Sequence, residues 1–130
     1  MIEAKELRIG DIVSLRGAED VRVAEIELFT CTIIDSKGDV FPNVEYKDLI
    51  ATPIAPEVLK RNGWKRWKEN GIERYSLSTK HRVLHVRKIC LDYYALSYGR
   101  IGQHLPLTVR YIHELQHCLL ALGLNADIKI

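Results

Sequence analysis

The chain begins with short stretches in which apolar and polar residues alternate, and it ends with one stretch whose apolar residues recur every third or fourth position. Leu7 to Leu15 alternates in places before Gly17, and Val21 to Leu28 sets Val21, Val23 and Glu25 against Arg22, Ala24 and Ile26. Thr30 to Asp35 is rich in β-branched residues, and Ser36 to Asp39 supplies turn chemistry ahead of Val40 and Phe41. Val44 to Ile50 then runs through one helical turn into Ala51 to Ile54. Short strands packed into so small a span suit a closed barrel, because closure removes the sheet edges that a short chain could not otherwise protect. The expected fold class is α+β: an SH3-like β-barrel over residues 1–54, then over 55–130 an antiparallel sheet with one short and one long helix.

Pro53 and Pro56 mark the junction between the two portions. Pro56 suits the first position of a short helix, Glu57 complements its positive end, Val58 and Leu59 face inward, and Gly63 can take the left-handed conformation that stops it. Asn70-Gly71 is the strongest two-residue hairpin signal and pairs Trp67 with Arg74 and Lys68 with Glu73. In that register Trp64, Tyr75 and Leu77 share one face, where Trp64 serves the core. Lys65, Trp67, Glu69, Ile72, Arg74 and Ser76 share the other. Further strands are expected over Arg82 to Ile89 and Cys90 to Tyr98, where the alternation is poor. The long helix is expected over about 106–122, opened by Pro106 or Thr108 and closed by Gly123, with Val109, Ile112, Leu115, Leu119 and Leu122 as its apolar stripe.

Composition narrows the class without naming a task. With 47% apolar and 28% charged residues, the chain can bury a core and is neither a tail nor a coiled coil. No apolar run approaches the roughly 20 residues a bilayer crossing needs, and the start Met1 to Glu6 has two acids and no hydrophobic stretch, so a cytoplasmic location without a membrane is expected. Cys31, Cys90 and Cys118 form no Cys-x-x-Cys pair, which suggests neither a disulfide framework nor a thiolate zinc site. Charge is unevenly spread. Residues 1–55 hold six Lys/Arg against eleven Asp/Glu, and between Lys60 and Lys88 ten basic residues face only Glu69 and Glu73. The excess either solvates an outer sheet face or meets a negatively charged partner. Trp67, among Lys65, Arg66 and Lys68, either stacks on Arg74 within the fold or offers a flat aromatic to a base or nucleotide.

The chemistry-bearing pattern is His113-Glu114-Leu115-Gln116-His117, which reads His-Glu-x-x-His. On a helix, two histidines one turn apart can share a zinc ion while the glutamate activates its bound water. Helical spacing places His113 and His117 at the border of the apolar arc, so both rings could reach one ion. A catalytic site needs a third protein ligand, yet the thirteen residues after His117 contain no His or Glu and the single acid Asp127. The extended zincin pattern fails too, with Leu120 and Gly123 where Gly and His belong. His81, His85 and His104 upstream would reverse the usual chain order. The preferred role of the pair is therefore two amphipathic rings at the edge of a packed helix. Gln116 falls inside the apolar arc, so its amide must find buried partners, with a structural role preferred over ligand binding. Gly99-Arg-Ile-Gly102 is read as a turn rather than a phosphate clamp, and neither a P-loop nor a dinucleotide fingerprint is present.

Three segments together carry a likeness: Glu6 to Val13 (Glu-Leu-Arg-Ile-Gly-Asp-Ile-Val), Pro53 to Trp64, and Tyr111 to Leu122 (Tyr-Ile-His-Glu-Leu-Gln-His-Cys-Leu-Leu-Ala-Leu). They resemble a group of small proteins from gut-commensal bacteria and their phages or mobile elements, for which no activity is established. The order and spacing fit over most of the chain, with little likeness between Trp67 and His104. In that group the last helix usually reads Tyr-Val-His-x-Leu-Gln-Asn, so His117 stands where an asparagine is typical. The resemblance implies a barrel followed by an α+β portion and a mobile-element origin, and brings no catalytic residues. The expectation is a non-enzymatic binding or adaptor module without a cofactor, whose partner is another protein or a second copy. Its candidate surface is Lys65, Trp67, Arg74, Lys80, Arg82 and Arg87. The alternatives are nucleic-acid or nucleotide binding through the basic face of residues 60–88, and a zinc hydrolase using His113, Glu114 and His117.

Overall fold

The computed structural model describes residues 2–79, 83–89, 93–98 and 104–129. Among the described residues the fold is α+β and mostly strand, with two antiparallel five-stranded sheets and two α-helices. Its residues form two compact units, Met1–Thr52 with Tyr111–Ile128, and Pro53–Arg110 with Lys129.

The first unit contains β1 (Ile12–Leu15), β2 (Glu19–Ile26), β3 (Thr30–Ile34), β4 (Val40–Glu45) and β5 (Leu49–Ala51), in the order β4-β3-β2-β1-β5. The helical turn expected before the last strand is a single 3-10 turn, Tyr46–Asp48. Irregularities in the β2–β3 ladder between Val23 and Glu25, and in the β3–β4 ladder between Cys31 and Ile33, interrupt the pairing. The sheet stays open, with β4 and β5 at its two edges, and this corrects the expectation of a closed barrel. Val13, Val21, Val23, Cys31, Ile33 and Leu49 build the core of this unit together with Ile2 and Leu7. Ile12, turned to the opposite side of β1 by strand alternation, is also fully buried.

Strand β1 meets the long helix of the same unit, α2 (Ile112–Ala121). That helix begins six residues later than the sequence suggests. Residues 104–109 form a strand, pairing Thr108 with Ala95 and Val109 with Tyr94, because β-branched Thr108 and Val109 suit a ladder better than a helical turn. Pro106 is tolerated there because that strand lies at the sheet edge. The helix starts instead where Glu114 Oε1 accepts the Tyr111 N–H at 2.9 Å, and where the Ile112 N–H reaches the Thr52 carbonyl at 2.8 Å.

The second unit contains α1 (Pro56–Arg61) and a meander of β6 (Lys65–Glu69), β7 (Ile72–Ser78), β8 (Val83–Lys88), β9 (Tyr94–Tyr98) and β10 (His104–Val109), in the order β10-β9-β8-β7-β6. Asn70 and Gly71 both have positive φ, 52° and 79°, as a two-residue type I′ turn requires. The resulting register pairs Lys65 with Ser76, Trp67 with Arg74 and Lys68 with Glu73. One face of the sheet carries Tyr75, Leu84, Val86, Tyr94, Leu96 and Val109, all buried. Trp64, which follows Gly63 at the end of α1, is buried as expected of a core residue. No helix among the described residues is long and apolar enough to cross a membrane.

Gln116 binds the long helix and the tail that follows it to the first sheet. Its Oε1 accepts the Ile12 N–H at 2.9 Å, and its Nε2 donates to the Gly10 and Ala126 carbonyls at 2.9 and 3.1 Å. The residue is 3% exposed, so water cannot replace these partners. Replacing Gln116 with Leu keeps the volume but strands the Ile12 N–H and the Ala126 carbonyl, while the Gly10 carbonyl keeps the Arg22 guanidinium at 3.1 Å, and should lower unfolding stability by about 2–4 kcal/mol, read as a shift in urea midpoint at unchanged slope.

Candidate functional site

The outward face of the second sheet holds the candidate residues, and register alone arranges them in rows. Trp67, Arg74, Arg87, Ala95 and Thr108 are successive cross-strand partners. Lys65, Ser76, His85 and Ser97 form the row beside it. On the other side the continued register aligns the Glu69 position with Ile72, Ile89, Tyr93 and Arg110; the Ile89 N–H donates to the Tyr93 carbonyl at 3.0 Å. None of these side chains is fully buried, whereas the opposite face buries Tyr75, Leu84, Val86, Tyr94, Leu96 and Val109.

Trp67 is 37% exposed and held in place from three sides. Its Nε1–H donates to Ser76 Oγ at 2.7 Å, and Ser76 Oγ lies 2.7 Å from His85 Nδ1. The Arg74 guanidinium sits 5.3 Å from the Trp67 ring centroid, and the His85 ring meets the indole edge-on at 6.2 Å. The stacking of Trp67 on Arg74 is thus present, and the ring keeps an exposed part as well. A second such pair follows in the third row, where the Arg110 guanidinium lies 5.4 Å from the ring of Tyr93, itself 41% exposed. Trp67, Ile72, Ile89 and Tyr93 are thereby four of the protein's exposed large apolar residues, interleaved with arginines.

Acidic positions are few on this face. Glu73 lies on the opposite side, ion-paired with Arg66, and apart from the Glu69 position beside the turn no described outward position is acidic. Arg74 and Arg87 are direct cross-strand partners, two like charges side by side. His85 feels this field: burial lowers its pKa first, and the Arg74 charge lowers it further.

The structure therefore brings Lys65, Trp67, Arg74 and Arg87 onto one face, while Lys80 and Arg82 lie outside the described residues. Sequence reasoning missed Ile89, Tyr93 and Arg110 as members of this face, and the part His85 plays there. Carrying the hairpin register one strand further, across the Ser76 and His85 pair, would have found the last of these.

The His-Glu-x-x-His residues sit in the first unit and are engaged in the fold. His117 Nε2 lies 2.7 Å from Asp11 Oδ2, which also accepts the Arg8 N–H at 2.8 Å, while Glu114 caps its own helix. His113 is 5% exposed, stacks on Tyr111 with centroids 5.9 Å apart, and meets the His117 ring edge-on at 5.7 Å. Among the described residues no three His, Cys, Asp or Glu side chains gather as a metal site would require. Beside the pair lies a recess of about 180 Å³ bounded by Arg8, Asp11, Gln116, His117, Leu120 and Asp127. The Gln116 amide and the Asp11 carboxylate are committed to the bonds above, and Asp127 pairs with Arg22 at 2.9 Å. Compared with family models, curated proteins and solved structures, the chain matches none.

His113 Nδ1 is buried without a hydrogen-bond partner among the described residues, and burial lowers the pKa of the ring. A base depressed in the folded state is protonated first in the unfolded chain. Its contribution is therefore intact above the ordinary histidine value of 6.5 and is lost as pH falls from there toward the folded value. Replacing His113 with Phe preserves the stacking on Tyr111, and the stability lost between neutral and mildly acidic pH should be smaller than in the parent protein. Urea midpoints at the two pH values test this, and equal losses would refute the assignment.

Proposed function

We propose that the protein is a non-enzymatic binding or adaptor module that engages a protein partner through the outward face of its second sheet. The observation that carries this reading is the composition of three adjoining rows: Trp67 and Tyr93 each beside an arginine, Ile72 and Ile89 exposed between them, and Lys65 and Arg87 at the sides. Tryptophan, tyrosine and arginine are the residues that supply most binding energy at protein interfaces, and exposed isoleucines add apolar area that only a partner would cover. The shortage of acids on the face favours a partner rich in carboxylates.

The order β4-β3-β2-β1-β5 with a 3-10 turn before β5 supports an SH3-like reading of the first unit, as the resemblance implies. A mobile-element origin and a cytoplasmic site of action rest on sequence alone. A second reading, single-stranded nucleic acid, is favoured by the two aromatic–arginine pairs, since a base can stack where an indole is already positioned.

Fluorescence titration separates the two readings. A glutamate-rich peptide should change Trp67 emission at low ionic strength, its affinity should fall as salt is added, and the double variant Arg74→Glu, Arg87→Glu should abolish the response. Tighter binding of an unstructured oligothymidine than of the peptide would transfer the face to the second reading. No response to either would end both.

A further inference from the structure

The first unit offers the chemical complement of this face. The β2–β3 hairpin projects Leu28 and Phe29, each 80% exposed, at a turn closed by the Glu27 N–H donating to the Thr30 carbonyl at 2.9 Å. Glu25 and Glu27 precede them, both exposed, with Ile26 between at 36% exposure. No other loop among the described residues exposes two adjacent large apolar side chains to this extent. The tip is also braced: the Tyr46 hydroxyl lies 2.8 Å from the Thr30 carbonyl and reaches the Glu27 carbonyl as well. A segment already held in shape loses little freedom on docking.

We propose that the occupant of the basic aromatic face is the β2–β3 hairpin tip of a second copy of this chain, so that the protein associates head to tail. The inference rests on the binding role proposed for that face and names its partner. Charge complementarity carries it: Glu25 and Glu27 meet Arg74, Arg87 and Lys65, while Leu28 and Phe29 cover Trp67, Ile72 and Ile89. The two surfaces differ, so the contact is heterologous. It closes into a small ring or a reciprocal pair if the rotation permits, and otherwise propagates.

Sedimentation velocity over a range of protein concentrations tests this on the full chain. At low salt the weight-average sedimentation coefficient should rise with concentration, and added salt should reverse the rise. Glu25→Lys with Glu27→Lys should leave a monomer, as should Arg74→Glu with Arg87→Glu. An equal mixture of the two should associate again, because the reversed tip of one meets the reversed face of the other. Leu28→Ser with Phe29→Ser, in an exposed turn where misfolding is not expected, should weaken association at least tenfold and decides the matter if a charge variant fails to fold.

A parent protein that stays monomeric at every concentration in low salt overturns the inference, as does association that survives both charge reversals. If such a monomer still binds the glutamate-rich peptide through Arg74 and Arg87, the self-association fails alone and the binding role of the face stands.

Discussion

The division of the second sheet into a buried face and an outward face depends on one turn. Asn70 and Gly71, both at positive φ, set a two-residue connection that leaves a single register for β6 against β7. Side chains alternate along a strand, so a slip by one residue would send Trp67 and Arg74 inward and bring Tyr75 out to water. Tyr75, Leu84, Val86 and Leu96 are fully buried, and their area locks each later strand to the one before it. The arginines, histidine and aromatics of the outward face are where they are because the core residues beside them are apolar.

A comparable constraint acts in the first unit through polar groups. Buried amides and carboxylates are tolerated only when their partners are supplied, and Gln116 and Asp11 supply each other's neighbourhood. Gln116 takes the Ile12 N–H and the Gly10 carbonyl on either side of Asp11, and Asp11 takes the Arg8 N–H and the His117 ring. The helix that carries His113 and His117 is thereby fixed against β1 at a single rotation. Two residues of the His-Glu-x-x-His pattern thereby serve the packing: His117 reaches the buried Asp11, and Glu114 caps the helix.

Much of this was legible in the residues. The hairpin register followed from Asn70-Gly71, the short helix from Pro56 and Gly63, and the 3-10 turn before β5 from the run around Tyr46. Burial of Gln116 followed from its place in the apolar arc, since an amide there has no water to turn to. The start of the long helix was misread because Val109 fits the helical stripe and the β-ladder equally well, and local periodicity cannot decide between them. Barrel closure was misjudged because it depends on whether β4 and β5 meet, which is a long-range property. Tyr93 and Arg110 escaped notice because they are separated in sequence and join only through the register of the last two strands. The signal for His85 was present but needed the strand alternation to be carried across a stretch where it was weak.

The outward face is also poorly arranged for stability, and this bears on its purpose. Cross-strand neighbours of opposite charge stabilise a sheet by about 0.2–1 kcal/mol and like charges cost a similar amount, so placing an acid opposite Arg74 would have been favourable at no expense to the core. Arg87 stands there instead, Glu73 pairs with Arg66 on the opposite side, and burial with the Arg74 charge keeps His85 from taking up a proton readily. Stacking on Trp67 and Tyr93 recovers roughly 0.5–1 kcal/mol for each half-buried arginine, which offsets the repulsion without removing the field. The like-charged pair of Arg74 and Arg87 is a local choice that works against folding, the pattern expected of the recognition role proposed for this face.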